Sequence, residues 1–208
     1  MKLTRRAPLR RSPGFTLVEA VGVLAIMALL ASTLIPRVFL SINEARVEGA
    51  VLGYNALKSA TISYFSRFGR LGGSGGTNYT PAQLAAGVPQ WDRNVLRPAG
   101  YLERAFDSRL ALDANVQISA APVSGTSVTP TNAAYDLDGS GSSTSDATGQ
   151  VVLELILSGV FEEDARDLSN RIDGQALGTA GGPDLRGRVK YGAAMSGLTE
   201  VHVYVAHK

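Results

Sequence analysis

One apolar run, from Phe15 to Ile35, constrains this chain more than any other feature, because Glu19 is the only charge among its 21 residues. As a helix the run would extend about 30 Å, which is the thickness of the hydrocarbon core of a bilayer. Basic residues precede the run, and Pro36 and Arg37 follow it. Because basic flanks stay in the cytoplasm, the run predicts a single-pass membrane helix with a cytoplasmic N-terminus and the remaining chain outside.

Glu19 needs an explanation, since an unpaired carboxylate inside hydrocarbon costs several kcal/mol. It lies four residues after Phe15, which itself follows Gly14. A cut between Gly14 and Phe15 would create an α-amine one helical turn away from the Glu19 carboxylate. The two groups could then neutralise each other, either within one chain or between neighbouring chains.

The sequence Gly-Phe-Thr-Leu-Val-Glu at residues 14–19 resembles the processing site of type IV pilins and type II secretion pseudopilins. Pro36 also lies where the first helix of that family commonly carries a proline. The resemblance implies that a membrane peptidase cuts after Gly14 and methylates the new N-terminal amine of Phe15. It further implies that Glu19 meets the N-terminus of an adjacent subunit, and that the segment before Pro36 can lose helix in the filament.

Other kinds of N-terminal segment share some of these features. A secretory signal peptide has a basic head, but its apolar run of about 7–15 residues is shorter and ends at a small-residue cleavage site. A plain signal anchor would leave Glu19 unexplained. Thr4-Arg5-Arg6 is similar to a twin-arginine signal, although Pro8 and the early Gly14-Phe15 junction fit it poorly. The resemblance to pilins covers about residues 5–65.

The charge of the chain is unevenly distributed. Five of its 20 basic residues and none of its 18 acidic residues precede Phe15, so the segment from Phe15 onward has 15 bases, 18 acids and a charge of −3. The sequence pI of about 9.0 therefore belongs to the uncut chain and gives no support for nucleic-acid binding. The absence of cysteine excludes disulfides and thiol catalysis, so the C-terminal region must be fixed by packing or by a metal.

Periodicity and composition predict an α+β fold. The predicted organisation is a basic leader at 1–14, a long N-terminal helix at 15–68 with its transmembrane half at 15–36, a Gly-rich linker at 69–80 and a globular head at 81–208. Apolar residues recur every three or four positions in the second half of the helix, and Tyr54, Leu57 and Phe65 are among them. We expect that stripe to pack under a small antiparallel β-sheet.

Local patterns predict the elements of the head. Thr80-Pro81-Ala82-Gln83 predicts a short helix with Thr80 as its N-cap. Alternating or continuous apolar residues predict strands at 114–120, 151–157 and 201–205, and an acidic segment predicts a helix at 162–172. In the last strand we expect the valines to face the core and His202 and Tyr204 to face outward. Trp91 is expected to anchor the core, with an exposed ligand-stacking role as the alternative.

The segment from Asp136 to Ser140 begins like a calcium-binding loop, because alternate side chains offer oxygen atoms. Such a loop needs a bidentate Glu at its twelfth position, where this chain has Ala147, and Asp146 lies one residue earlier. An ordinary solvated turn is the alternative. Calcium in a C-terminal loop is also a property of the major pseudopilins that the N-terminus resembles. Ca2+ is the only cofactor indicated, and its expected ligands are Asp136, Asp138, Ser140 and Asp146.

Nothing in the sequence marks a catalytic centre. The chain has no Cys, and its two His, His202 and His207, are five residues apart on a terminal strand, where they face opposite sides. They form neither a convincing metal pair nor part of a triad. We therefore expect a structural protein and not an enzyme.

The resemblance implies a filament subunit that is stored in the inner (cytoplasmic) membrane and then assembled through its N-terminal helix, in the periplasm or on the cell surface. The implied partners are a prepilin peptidase and methyltransferase, copies of the chain and other pilin-like subunits, an inner-membrane assembly platform and, before assembly, membrane lipid. No nucleic acid is expected. A minor pilin or a type II secretion pseudopilin is favoured. The alternatives are a major pilin, an adhesin or DNA-capturing tip pilin, and a membrane-anchored enzyme or receptor domain.

Overall fold

A computed structural model describes residues 14–141, 144–178 and 182–208, so residues 1–13 of the predicted leader lie outside the described residues. The chain divides into two compact units, of which the first ends at Ile42 and the second begins at Asn43. Helices and an antiparallel sheet confirm the predicted α+β fold. The α-helices and strands are α1 (Leu17–Phe68), α2 (Pro81–Ala86), β1 (Asp113–Ala120), β2 (Val151–Phe161), α3 (Glu162–Ile172), β3 (Val189–Tyr191) and β4 (Leu198–His207), and short 3-10 and π-helical turns lie at Ser74–Gly76 and Asp92–Leu96.

The first unit is helical and exposed. Every residue from Gly14 to Ile42 is exposed in the isolated chain, although most of these side chains are apolar. Within the described residues, α1 is the one helix that is long and apolar enough to cross a membrane. A helix that is apolar on all sides needs lipid or other apolar helices around it, which agrees with the predicted transmembrane half.

Pro36 does not interrupt α1. The sequence predicts a kink or a melted turn at Ser32–Pro36, because proline removes one backbone donor and clashes with the carbonyl four residues earlier. The helix nevertheless runs unbroken through this segment, so the prediction of a melted turn is wrong for the isolated chain. The hydroxyls of Ser32 and Thr33 donate to the carbonyl oxygens of Leu29 and Leu30 at 2.8 and 3.0 Å, which adds bonds in the turn before the proline.

The second unit is built on a four-stranded sheet with the order β1-β2-β4-β3, in which all neighbours are antiparallel. The second half of α1 packs on one face of this sheet and buries Tyr54, Leu57 and Tyr64 in the main core. The predicted stripe is therefore confirmed at these positions. Phe65 departs from it, because its ring is exposed and lies 5.0 Å from the ammonium of Lys208.

The other face of the sheet is covered by the segment between β1 and β2, of which the structure describes residues 121–141 and 144–150. Tyr135 and Ala147 of this segment are buried against Val152 of β2. His202 and Tyr204 lie on the face opposite the valines, as expected, but this face is not open to solvent: His202 is buried and Tyr204 is half-buried against Tyr135. Alternation separates the two faces of β4 correctly, but it does not show that the outer face is covered.

Residues 69–80, which composition predicts as a linker, are packed against the head. The indole N–H of buried Trp91 donates to the carbonyl oxygen of Gly72 at 2.7 Å, which confirms the core role predicted for this tryptophan. The predicted start of α2 is also confirmed. The Thr80 hydroxyl accepts from the N–H of Gln83 at 3.3 Å, and the Gln83 side-chain oxygen accepts from the N–H of Thr80 at 2.9 Å.

Candidate functional site

The N-terminal end of α1 forms the first candidate site. Gly14 and Phe15 are exposed and lie just before the helix, so the peptide bond between them is accessible. A Cβ added to Gly14 would meet no atom within 4 Å. The fold itself therefore does not require glycine at this position. A requirement for glycine would come from an enzyme that must approach the backbone closely.

Thr16 and Glu19 form a reciprocal capping pair at this end of the helix. The N–H and the hydroxyl of Thr16 donate to Oε2 of Glu19 at 3.0 and 2.8 Å, and the N–H of Glu19 donates to the Thr16 hydroxyl oxygen at 3.3 Å. These bonds satisfy backbone donors that a helix start leaves open. All bonds to the carboxylate use Oε2, so among the described residues Oε1 remains available to a further donor.

The second candidate site lies in the segment that covers the outer face of the sheet. Asp136, Asp138 and Asp146 each offer one carboxylate oxygen, and these three atoms lie within 4.8 Å of one another. The chain returns to bring Asp146 into the group, because its N–H donates to the Tyr135 carbonyl at 2.7 Å. Ala147, at the twelfth position of the predicted loop, is buried in the core, so Asp146 stands in its place.

Backbone N–H groups orient all three carboxylates and engage one oxygen of each. The bonds run from Gly141 to Asp136 Oδ2 (3.1 Å), from Ser140 to Asp138 Oδ1 (2.9 Å), and from Leu137 and Asp138 to Asp146 Oδ2 (2.8 and 3.2 Å). Ser140, the fourth predicted ligand, thus contacts Asp138 through its backbone N–H and also through its side chain. The second oxygen of each carboxylate is not engaged by these bonds.

Asp136 has the least favourable surroundings of the three acids. It is 2% exposed, and its Oδ1 has no hydrogen-bond partner among the described residues. A buried oxygen without a partner carries an uncompensated desolvation cost. A group of oxygen donors suits a hard divalent cation such as Ca2+ or Mg2+, and it does not suit metals that prefer sulfur or imidazole. The residues present therefore fit the predicted calcium ion.

Burial raises the pKa of Asp136 above its ordinary value, and a hydrogen bond with Asp138 raises it further. That bond exists only when one of the two carboxyl groups carries a proton, because ionised carboxylates only accept. The pKa of Asp138 is lowered, chiefly by the backbone N–H of Ser140. The pKa of Asp136 therefore lies above its usual range, and the pKa of Asp138 lies below it. A bound cation would favour the ionised form of both.

Lys190 fixes the segment that carries the acidic loop, and the sequence analysis did not identify it. Its buried ammonium donates to the carbonyl oxygens of Thr129 and Ala134 at 2.8 Å, and to the backbone and side-chain oxygens of Asn132. It also lies 4.4 Å from the centroid of the Tyr135 ring. Burial lowers the pKa of Lys190 to about 8. A lysine between two apolar residues of a short strand is the one pattern that could have indicated it.

His202 belongs to a buried polar network and not to a pair with His207. Its Nδ1 lies 3.1 Å from Oε2 of Glu154, and its Nε2 lies 2.9 Å from Oε1 of Glu200. The Tyr135 hydroxyl donates to the same Glu154 oxygen at 2.8 Å. Networks whose polar groups are mutually bonded fix the packing of a core, and this one joins β2 and β4 to the covering segment.

The fold and the first site together define a class of protein: a chain with an apolar N-terminal helix, an accessible Gly-Phe junction before it, and an α+β head. Residues 9–35 match the family model described as the prokaryotic N-terminal methylation motif. This motif is the signature of type IV pilins and pseudopilins, so the N-terminal segment of the chain carries the pilin-like signature. The motif implies processing by a prepilin peptidase and assembly with other pilin subunits, and it points to a structural subunit. No curated protein and no solved structure matches the chain significantly.

Proposed function

We propose that this protein is a minor pilin or a type II secretion pseudopilin, a filament subunit whose work is mechanical. The observation that carries the proposal is the methylation motif at residues 9–35, which includes the exposed apolar start of α1. The subunit is held in the inner membrane by the first half of α1, with the leader in the cytoplasm and the head outside. From there it enters a filament in the periplasm or on the cell surface.

Glu19 is proposed to set the axial register between neighbouring subunits during assembly. Cleavage after Gly14 gives Phe15 a charged amine, and methylation of that amine leaves its charge in place. The bonds of Thr16 engage only one oxygen of the carboxylate, which supports a second pairing with the amine of a neighbouring subunit. A paired charge in an apolar surrounding can fix register even where its net contribution to stability is small.

Pro36 is the proposed flexible point of the helix. It leaves the carbonyl of Ser32 without its helical donor, while the helix stays continuous in the isolated chain. Because that turn lacks one bond already, it is the place where helix is lost at least cost when α1 packs among its neighbours. The partners in this process are the prepilin peptidase and methyltransferase, other pilin-like subunits and the assembly platform of the inner membrane.

We also propose that the acidic loop binds Ca2+. The specific observation is the buried, unpartnered Oδ1 of Asp136 beside the carboxylates of Asp138 and Asp146. Ser140 would complete the ligand set through an oxygen atom. The carbonyl of Asp136 accepts a bond from the N–H of Gly187 at 2.7 Å, so an ion held here would fasten the covering segment to the chain that leads into β3.

The test of the filament proposal is mass spectrometry of tagged chain from a cell with intact assembly machinery. The membrane fraction and sheared filaments are separated and digested, and the N-terminal peptide is identified in each. The expected N-terminus is Phe15 with the mass of one added methyl group, and the chain is expected to be a small share of the filament protein. An N-terminus at Met1 or near Ser32 would overturn the proposal. A filament made mainly of this chain would show a major pilin instead.

A further inference from the structure

Four large apolar side chains are exposed in the described chain after α1, and three of them lie at one end of the sheet. Leu112, Phe161 and Met195 are 83%, 58% and 83% exposed, and we call these three residues the apolar rim. The fourth, Val123, is 77% exposed and lies elsewhere. Single exposed apolar residues are ordinary, but a group of them marks a surface that another apolar phase can cover.

The members of the apolar rim are neighbours in space. Leu112 directly precedes β1, Phe161 ends β2, and Met195 lies in the turn before β4. Leu198 connects two of them, because it pairs with Phe161 across the sheet and bridges to Met195. The side chain of Leu112 lies against Gly159, which lines a shallow cavity of about 280 Å³ together with Met195 and Leu198.

The apolar rim lies at the same end of the second unit as the first residues of that unit. Phe161 is followed directly by α3. Burial raises the pKa of Asp164 in the first turn of α3, and the guanidinium of Arg46 of α1 lies near enough to oppose that rise. Arg46 is three residues after Asn43, the first residue of this unit. The rim therefore lies near the point from which the chain leads back to the transmembrane half of α1.

Val123 lies at the opposite end of the sheet. β1 ends at Ala120, which pairs with Val151 at the start of β2, and Val123 follows three residues later. Lys208 links this end to the last turn of α1: its backbone bonds with Val151, and its ammonium donates to the carbonyl oxygen of Gly69. Val123 is therefore apolar and exposed like the residues of the apolar rim, but it lies at the other end of the sheet.

A short connection limits the distance between Asn43 and the end of the apolar run. Seven residue steps separate Pro36 from Asn43, which is about 10 Å as helix and at most about 25 Å when fully extended. The limit applies to Asn43, the first residue of the second unit. The apolar rim lies at the same end of this unit as Asn43 and is therefore within reach of the lipid surface, whereas β2 alone spans about 35 Å toward the other end.

We propose that the apolar rim is a lipid-contact surface, which inserts into the interfacial region of the outer leaflet while the subunit is stored in the membrane. The proposal rests on the membrane anchoring proposed above. The three side chains leave water when they enter lipid, which is favourable in proportion to the apolar area transferred. Glu162 and Glu163 directly follow Phe161 and are repelled by anionic headgroups, so the surface suits a zwitterionic lipid.

The experiment uses the uncut full-length chain, at about one copy per vesicle of phosphatidylcholine. The chain has no cysteine, so Met195→Cys and Val123→Cys each provide one site for an environment-sensitive fluorophore. We expect the probe at position 195 to shift to shorter wavelength and to be quenched severalfold more by lipid-borne nitroxide than the probe at position 123. Aqueous iodide should quench the two probes in the reverse order. Combining Met195→Cys with Leu112→Ser and Phe161→Ser should remove most of the difference.

Three results would overturn this proposal. One is equal quenching of the two probes by nitroxide, and another is a position-195 difference that persists after the two serine substitutions. The third is a blue shift that grows with the number of chains per vesicle, because it would show a second copy as the occupant. Resistance of the chain to carbonate extraction is measured in the same samples. It reports the anchoring by α1 separately, so the lipid contact of the rim can fail while the proposed anchoring holds.

Discussion

The two units of this chain use the same helix in opposite ways. From Leu17 to Ile42 the side chains of α1 are exposed and apolar on every side, whereas from Val47 onward one side of α1 is buried against a sheet. The first unit thus depends on surroundings that the chain does not supply. The second depends on contacts within the chain. We therefore expect changes in the first unit to alter processing and assembly and to leave the head stable, and the reverse for changes in the second.

The largest effect is expected at Gly14. Gly14→Leu should abolish cleavage, because a bulky side chain keeps a peptidase from the backbone, while the fold has open space at this position. Immunoblotting and N-terminal mass spectrometry would measure the uncut fraction. Gly22→Ala is the matched control, since Gly22 also has no atom within 4 Å of an added Cβ, and it should be cut normally. Efficient cleavage of Gly14→Leu would contradict the assigned site.

The second effect separates cleavage from assembly. Glu19→Val should be cut normally, but its yield in sheared filaments should fall by about tenfold or more, because a buried amine without its partner costs several kcal/mol. Glu19→Asp should be intermediate, since its shorter side chain reaches poorly. Thr16→Val removes the two bonds that the Thr16 hydroxyl makes with Glu19 and keeps both the backbone N–H bond and the carboxylate, so its yield should fall less. A native yield from Glu19→Val would show that Glu19 does not set the register of the subunits.

The third effect belongs to the second unit alone. In a fragment that starts at Ser41, Lys190→Met should lower the free energy of unfolding by about 3–5 kcal/mol, because it leaves buried oxygens without their charged donor. Urea unfolding followed by circular dichroism would measure it. Lys58→Met, at a half-buried lysine of α1, should change stability by about 0.5 kcal/mol or less. Equal effects of the two substitutions would show that Lys190 does not hold the covering segment.

Calcium should give the next largest change. If the acidic loop binds Ca2+, a concentration 100 times Kd should raise the melting temperature of the same fragment by about 5–10 °C, since the ion binds the folded state. Asp138→Ala should remove this gain, and Asp113→Ala, at an exposed aspartate outside the group, should retain it. An unchanged melting temperature in millimolar calcium would show that the segment is an ordinary turn and not a calcium site.

The smallest effect is the pH dependence of Asp136. Its pKa is raised in the folded chain, so the folded state retains this proton to higher pH than the unfolded state does. Without calcium, stability should therefore fall as pH rises from the ordinary pKa through the raised one. Asp136→Asn should flatten that decline, and it should also remove the response to calcium. Parallel pH profiles for the native chain and Asp136→Asn would contradict the raised pKa.

Local patterns were sufficient for most elements of the head. Thr80 and Gln83 identify the start of α2, and the strand-like segments and the acidic helix at 162–172 all occur. The short strand β3 was missed, because three residues carry too little alternation to be recognised. The linker at 69–80 was predicted from glycine content, whereas Leu71 is buried in the main core. Composition describes how freely a segment can bend and does not show what it packs against.

The candidate sites also differ in how far local sequence is enough to predict them. Gly14, Phe15 and Glu19 are adjacent in sequence, so one short motif is enough to identify them. The acidic loop was recognised in part, because Asp136 and Asp138 are neighbours, while the approach of Asp146 depends on a bond to Tyr135. Lys190 lies more than fifty residues from the oxygens that it binds, and no local pattern joins such partners.

The sequence by itself determined the membrane-length helix, the processing junction and the carboxylate one turn beyond it, because length, hydropathy and spacing along one helix are local properties. Only the tertiary structure decided that the outer face of the sheet is covered and that His202 is buried there. It also decided that an oxygen of Asp136 lacks a partner and that the apolar rim forms at one end of the head. These facts depend on which distant segments meet, and that is fixed by the packing of the whole unit.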